Sequence, residues 1–265
     1  MTILPALTLT QRELVRFSRQ RSRMVGALGP PLLFWFLIGS GLGDSFRPSG
    51  APPTMTSLEY LFPGTVLLIV LFTAIFSTIS IIEDRREGFL QSVLVAPASR
   101  GGLVLGKMLG GTLLAILQVI LVLLLAPLMG FRLGLVSFLA TVGTLLVISF
   151  GFTGLGFLIA WRLDSTQGFH AIMNLFLMPM WILSGALFPA AGSPGWLRAI
   201  MFANPMSHAL DSLRQALYFG SAAGVWGTQT GSFGAPLIVS ALFALLMLVA
   251  ALHVTRQPRA ADLHG

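Results

Sequence analysis

The sequence contains no cysteine, which removes disulfides, thiolate metal sites and cysteine nucleophiles together. Charge is almost as scarce: Asp, Glu, Lys and Arg make up 9% of the 265 residues, against roughly a quarter in a soluble globular domain. A soluble fold is therefore disfavoured from the outset. Lysine is nearly missing too, since Lys107 is the one lysine among sixteen basic residues. The charges that do occur lie far apart. Uncharged intervals of at least 20 residues separate Arg23 from Asp44, Glu59 from Glu83, Lys107 from Arg132, Arg132 from Arg162, Asp164 from Arg198 and Arg214 from Arg256. A helix rising 1.5 Å per residue needs about 20 apolar residues to cross a bilayer core, so each interval holds one span.

These intervals define an all-α polytopic membrane protein with six transmembrane helices, about 24-43, 59-82, 103-130, 133-161, 169-189 and 234-254. The basic run that ends at Arg23 precedes a span-length apolar stretch rather than a short cleavable one, so it reads as mature structure. The net charge of +7 reads as topology and not as a nucleic-acid surface, because the basic residues flank lipid-length runs. With the N-terminus in the cytoplasm, Arg12, Arg16, Arg19, Arg21, Arg23, Arg85, Arg86, Arg100, Lys107, Arg162, Arg256 and Arg259 fall inside. Arg47, Arg132, Arg198 and Arg214 fall outside, a clear positive-inside bias that places both termini in the cytoplasm.

Three segments stand apart from the spans. Residues 8-23 carry Arg12, Arg16, Arg19 and Arg23 at helical spacing, with Leu14 and Phe17 on another face, the pattern of an amphipathic helix in the headgroup layer. Residues 190-233 begin with Pro194 and Gly195 yet stay apolar, with Trp196, Tyr218 and Trp226 suited to an interface. One or two short helices in the outer leaflet are expected there. The loop 83-97 holds the densest charge, Glu83-Asp84-Arg85-Arg86-Glu87, followed by Gly88, Phe89, Leu90, Val93 and Leu94, and Pro97 ends it. Opposite charges three or four apart beside recurring apolar residues describe a short amphipathic helix. A plain connector has no need to expose Phe89 and Leu90 there, whereas a surface that docks a soluble partner does.

The string Gly101 to Met108 nearly matches a phosphate-binding loop, with Gly101, Gly106 and Lys107 in place. Met108 supplies no hydroxyl for magnesium and the segment runs on into a span, so nucleotide binding is not read here. The repeat Gly102, Gly106, Gly110 instead forms a smooth helix face for close packing against a neighbour. Within the spans, Gln118, Gln167, His170 and Asn174 are the polar side chains that matter, with Lys107 and His253 near the ends. No intramembrane carboxylate is available to couple transport to ions, and no catalytic constellation or metal cluster emerges. A stand-alone secondary transporter or channel, or a membrane scaffold, is the alternative to a transport subunit powered by another protein.

Two motifs carry a resemblance. Glu83-Asp84-Arg85-Arg86-Glu87-Gly88-Phe89-Leu90 with Pro97-Ala98-Ser99-Arg100, and Asn204-Pro205 followed by Asp211 and Arg214, resemble signatures of the type-2 permease subunits of ATP-binding cassette exporters. The resemblance covers nearly the whole chain. It implies a transporter in the bacterial-type plasma membrane in which two permease chains, identical ones expected, form the pathway. Each would be bound to a separate ATPase subunit that holds the ATP and magnesium, with no cofactor in this chain. It implies further that the helix around Arg85 to Leu94 is the coupling helix. There Glu83, Arg86 and Glu87 would supply charge complementarity, with Phe89 and Leu90 as apolar anchors. On the outer side Asn204 and Pro205 start a helix, on which Asp211 and Arg214 can pair as a latch for the extracellular gate. Apolar walls with Phe34, Phe72, Phe76 and Phe176 suit a lipid, a lipid-linked glycan or a hydrophobic drug-like cargo.

Overall fold

The computed structural model describes residues 3–19, 21–43, 56–95, 99–129, 134–190, 192–219 and 234–256. Arg47, Pro97, Arg132, Trp226 and Arg259, named above, lie outside the described residues. The described residues form helices throughout and no strand: α1 (Ile3–Ser18), α2 (Arg21–Leu42), α3 (Ser57–Ser77), α4 (Ile79–Arg86), α5 (Phe89–Val95), α6 (Arg100–Leu125), α7 (Leu135–Arg162), α8 (Thr166–Trp181), α9 (Gly195–Ala203), α10 (Pro205–Leu217) and α11 (Ala235–Val254). Among the described residues six helical stretches are long and apolar enough to cross a membrane, including α2, α6, α7 and α11. The second crossing is α3 with α4, and the fifth is α8 with the π-helical turn Ile182–Ala186.

The core is built around α3, which α2, α6, α7 and α10 all touch. Within the apolar window of the α3–α4 stretch 83% of residues are buried, against 17% for α2 and for α11. The outward faces of α2 and α11 are therefore the surfaces left for lipid or for partner helices. Gly156 of α7 allows a close approach to the end of α3, because a Cβ there would stand 2.8 Å from Thr78 Oγ1 and 3.0 Å from Ile75 Cα.

Helix ends follow from local chemistry. Thr56 and Glu59 form a reciprocal capping box on α3, and Ser99 and Ser165 cap α6 and α8 by accepting from Gly102 N and Gly168 N. Between the fifth and sixth spans, where one or two short helices are expected, lie α9 and α10. Asn204 caps α10 by accepting from Met206 N at 3.0 Å, with Pro205 in the first turn. Residues 220–233 lie outside the described residues.

The sequence boundaries need correction at the N-terminus. The first helix runs over Ile3–Ser18 rather than 8-23, and α2 opens at Arg21. Arg23 therefore belongs to α2, just ahead of the apolar stretch that begins at Val25, and the arginine face is split. The helix starts early because Ala6 and Leu9, both buried, seat against α6.

Candidate functional site

The chain crosses the membrane back and forth, so α1, the start of α2, α4, α5, the start of α6, the end of α7 and the end of α11 meet at one end. At this basic end Lys107 is 3% exposed although it is charged. A bare ammonium in such a place would be strongly destabilising, so it requires partners. It donates to the carboxylates of Glu13 on α1 and Asp84 on α4, and to Ser80 Oγ at 3.0 Å. Asp84, fully buried, also accepts from Arg12 Nη1 and Nη2 at 3.0 and 2.8 Å and from Arg16 Nη1 at 2.8 Å. Arg16 reaches on to Glu83 at 2.9 Å and Glu87 at 3.3 Å. Seven charged side chains thus tie α1, α4 and α6 together.

Glycines on α6 make this closeness possible. A Cβ at Gly106 would stand 2.7 Å from Leu9 Cβ and 2.9 Å from Ala6 O, and one at Gly110 would stand 2.8 Å from Glu13 Cβ. Gly102 is buried one turn earlier. The neighbour met by this smooth face is α1, and Thr10 Oγ1 donates across it to Gly106 O at 3.2 Å. The orientation of α1 corrects the sequence reading. Arg12 and Arg16 turn inward to acidic residues rather than outward to headgroups, while Ile3, Leu4, Leu7 and Val15 are exposed. Arg19 is exposed at the end of the helix.

Three further arginines clamp helix ends. Arg85 donates to Leu163 O and Trp161 O at 2.8 Å each and to Asp164 at 3.0 Å, while Arg86 Nε reaches Asp164 O at 3.1 Å. Arg100 donates to Thr255 O at 2.9 Å and Arg256 O at 3.0 Å. These guanidinium groups complement the partial negative charge at the C-terminal ends of α7 and α11.

The charge cluster and the apolar segment that follows it are two elements, not one. Gly88, at φ +75, breaks the chain between α4 and α5 in a conformation that glycine adopts without strain. The expected exposure of Phe89 and Leu90 is also corrected. Leu90 is 3% exposed within the core, and Arg12 Cζ lies 3.8 Å above the half-buried Phe89 ring. Both anchor α5 to its own chain, as apolar groups beside an available core will. Among the described side chains of this segment, Arg86, Glu87, Gln91 and Ser92 face outward.

At the opposite end a different arrangement satisfies backbone freed by irregular helix. Pro179 lacks an N–H, the turn Ile182–Ala186 is π-helical, and Gly185 has φ +90. The Gly185 carbonyl accepts from Tyr60 Oη at 3.1 Å and from Arg214 Nη2 at 3.0 Å. Asn204 Nδ2 donates to Met180 O at 2.6 Å, and Trp181 Nε1 to Gly64 O at 2.8 Å. Asp211 and Arg214 are both buried on α10, and Arg214 Cζ sits 4.9 Å from the Tyr60 ring. Burial pushes the Tyr218 phenol up to about 12 despite the opposing charge of Arg214, which keeps it a neutral donor facing Glu59 O at 3.4 Å.

A cavity of about 410 Å³ lies beside the basic end, lined by Phe17, Ala27, Phe72, Phe76, Glu83 and His170 among others. His170 packs 5.0 Å from the Phe76 ring. Among the described residues no three His, Asp or Glu side chains converge as a metal site. Sequence reasoning missed Glu13, Asp84 and Lys107 as a unit. The available signals were an acidic residue inside a basic helix and the solitary lysine.

A six-span helical protein with its charge gathered at one end and an outward-facing polar turn between the second and third spans is built as a membrane transport subunit. Its family is then clear: residues 6–218 match the ABC-2 type transporter model, and the chain belongs to that family. It is 27% identical over 227 residues to the daunorubicin resistance ABC transporter permease protein DrrB1 of Streptomyces coeruleorubidus, covering 83% of this chain and 76% of that one. It is also 27% identical over 197 residues to nodulation protein J of Sinorhizobium fredii, covering 73% of each. The putative transport permease ycf38 of Cyanophora paradoxa is 25% identical over 209 residues, 78% of this chain and 71% of that one. As a member of the family the chain is an integral membrane permease, and the family implies an ABC ATPase subunit as its partner.

Proposed function

We propose that this permease is the membrane half of an exporter, that two copies form the pathway, and that a separate ATPase subunit docks on each copy at the basic end, which faces the cytoplasm. The observation that carries the reading is the outward polar surface of Arg86, Glu87, Gln91 and Ser92 at the Gly88 turn. That turn is bonded rigidly to α1, α6 and α7 through Asp84, Arg85 and Leu90. A push delivered there has no soft joint in which to dissipate, so it moves three helices together. ATP and magnesium belong to the partner, and this chain supplies the lever. Asp211 and Arg214, buried against the Gly185 corner, serve as the latch of the outer gate.

The cargo is a hydrophobic drug-like molecule, a lipid or a lipid-linked glycan. The aromatic cavity beside His170 suits an amphipathic molecule, and the daunorubicin resistance relative fits the drug-like end of that range. The test is affinity capture of the tagged chain in mild detergent, comparing wild type with Gln91→Lys/Ser92→Trp. Wild type is expected to recover an ATPase subunit, and the variant to lose it while keeping its thermal stability. A well-folded wild-type chain that recovers no ATPase under several gentle extractions refutes the docking model.

A further inference from the structure

We propose that the groove between the ends of α7 and α11 binds an anionic phospholipid by its phosphate headgroup. The groove measures about 640 Å³ and opens at the basic end of the molecule. Its walls are apolar and come from three helices: Leu158 and Ile159 of α7, Ile172 of α8 and Ala250 of α11, all half-buried. Its rim carries Arg162, the last residue of α7, and His253, one turn from the end of α11. Both side chains are exposed, as is Arg256 three residues further on. Among the described residues no acidic side chain lines the groove.

An apolar trough running into the bilayer with cationic and N–H donor groups at its mouth matches a lipid in both halves. The acyl chain lies along Ile159, Ile172 and Ala250, while the phosphate meets Arg162 and the His253 ring at headgroup depth. Zwitterionic lipid lacks the net charge, and a free phosphate ion has no use for the trough. The rest of α11 sharpens the contrast, since its exposed residues Ile238, Leu242, Leu245, Leu246 and Val249 are all aliphatic, as unselective lipid contact requires. The site is also held in place. Arg100 grips Thr255 O and Arg256 O, which fixes the end of α11 that presents His253. Basic residues near a bilayer surface attract anionic lipid with about 1 kcal/mol each, roughly five-fold in affinity.

The experiment uses the purified full-length chain in detergent micelles without nucleotide, so its result is independent of ATPase docking. Native mass spectrometry follows retention of added phosphatidylglycerol, phosphatidylcholine or inorganic phosphate. Phosphatidylglycerol is expected to be retained selectively, to weaken about five-fold in Arg162→Gln and to be lost in Arg162→Gln/His253→Ala. Ala250→Trp fills the trough while leaving both polar groups, and it too is expected to lose the lipid. Arg198→Gln, on α9 at the far end, is expected to behave as wild type. Equal retention of phosphatidylcholine overturns the proposal, as does undiminished binding in both the double variant and Ala250→Trp. Displacement of phosphatidylglycerol by millimolar phosphate overturns it in favour of a simple anion site.

Discussion

Replacing Lys107 by methionine tests whether the buried cluster is a network or a set of independent pairs. In the wild type the Lys107 and Glu13 side chains are 2% and 6% exposed, so solvent screens them little. Lys107→Met leaves the Glu13 carboxylate with Arg12 Nη1, 3.7 Å away, as its nearest cation. Stranding one partner of a buried pair costs about 3–5 kcal/mol. For a chain of this size each kcal/mol shifts the melting temperature by roughly 2–4 °C, so a fall of about 10 °C is expected. Glu13→Gln/Lys107→Met removes both charges. Asp84 still accepts from Arg12 at 2.8 Å and from Arg16 at 2.8 Å, so the double variant is expected to recover most of the loss. The interaction energy of the cycle should then reach about 3 kcal/mol, the upper end for residues in one network. Thermal unfolding in detergent, followed by tryptophan fluorescence for wild type, both single variants and the double, measures it. Additive losses, with the double variant no better than Lys107→Met, would refute the network.

Other substitutions probe the surrounding contacts. Gly106→Ala places a Cβ 2.7 Å from Leu9 Cβ and is expected to cost about 1–3 kcal/mol by overpacking. Gly143→Ala, with nothing within 4 Å of its Cβ on α7, is expected to stabilise by about 0.5–1 kcal/mol; the pair of melting temperatures checks both signs. Arg85→Gln weakens charged donation to Trp161 O and Leu163 O; a loss of about 2 kcal/mol is expected, and hydrogen exchange should accelerate at the end of α7. Tyr60→Phe removes one of two donors to Gly185 O and is expected to cost only about 1 kcal/mol, with Arg214→Gln more costly in the same unfolding assay.

The spans were legible because a bilayer imposes a length and a composition on every crossing, and both can be read along one dimension. Each of the six uncharged intervals falls on one of the six helical stretches, although α3 with α4, and α6, run past the charges that bound their intervals. α9 and α10 were legible as well, since Pro194, Asn204 and Pro205 act on the backbone of their immediate neighbours. Boundaries were less so. The helical run Ile3–Ser18 begins earlier than its arginines suggest because Ala6 and Leu9 are stabilised by α6, which lies about a hundred residues away in sequence.

The site was legible in its residue types but not in its directions. Glu83, Arg85, Arg86 and Glu87 stood out as a charged string, yet a string does not say which side chain turns inward. Asp84 does, because α4 continues the second span and carries that position against α6, whereas Arg86 and Glu87 fall on the open side. The same rotation buries Leu90 and leaves Gln91 and Ser92 outside, so an apolar residue in a polar loop proved to be a tether to its own core. Lys107 shows the limit most sharply. Its sequence neighbours place it in a defective phosphate loop, while its spatial neighbours Glu13, Ser80 and Asp84 make it the ionic centre of three helices. A buried charge can be recognised from sequence only by asking what would neutralise it, and here the partners lie 94 and 23 residues away.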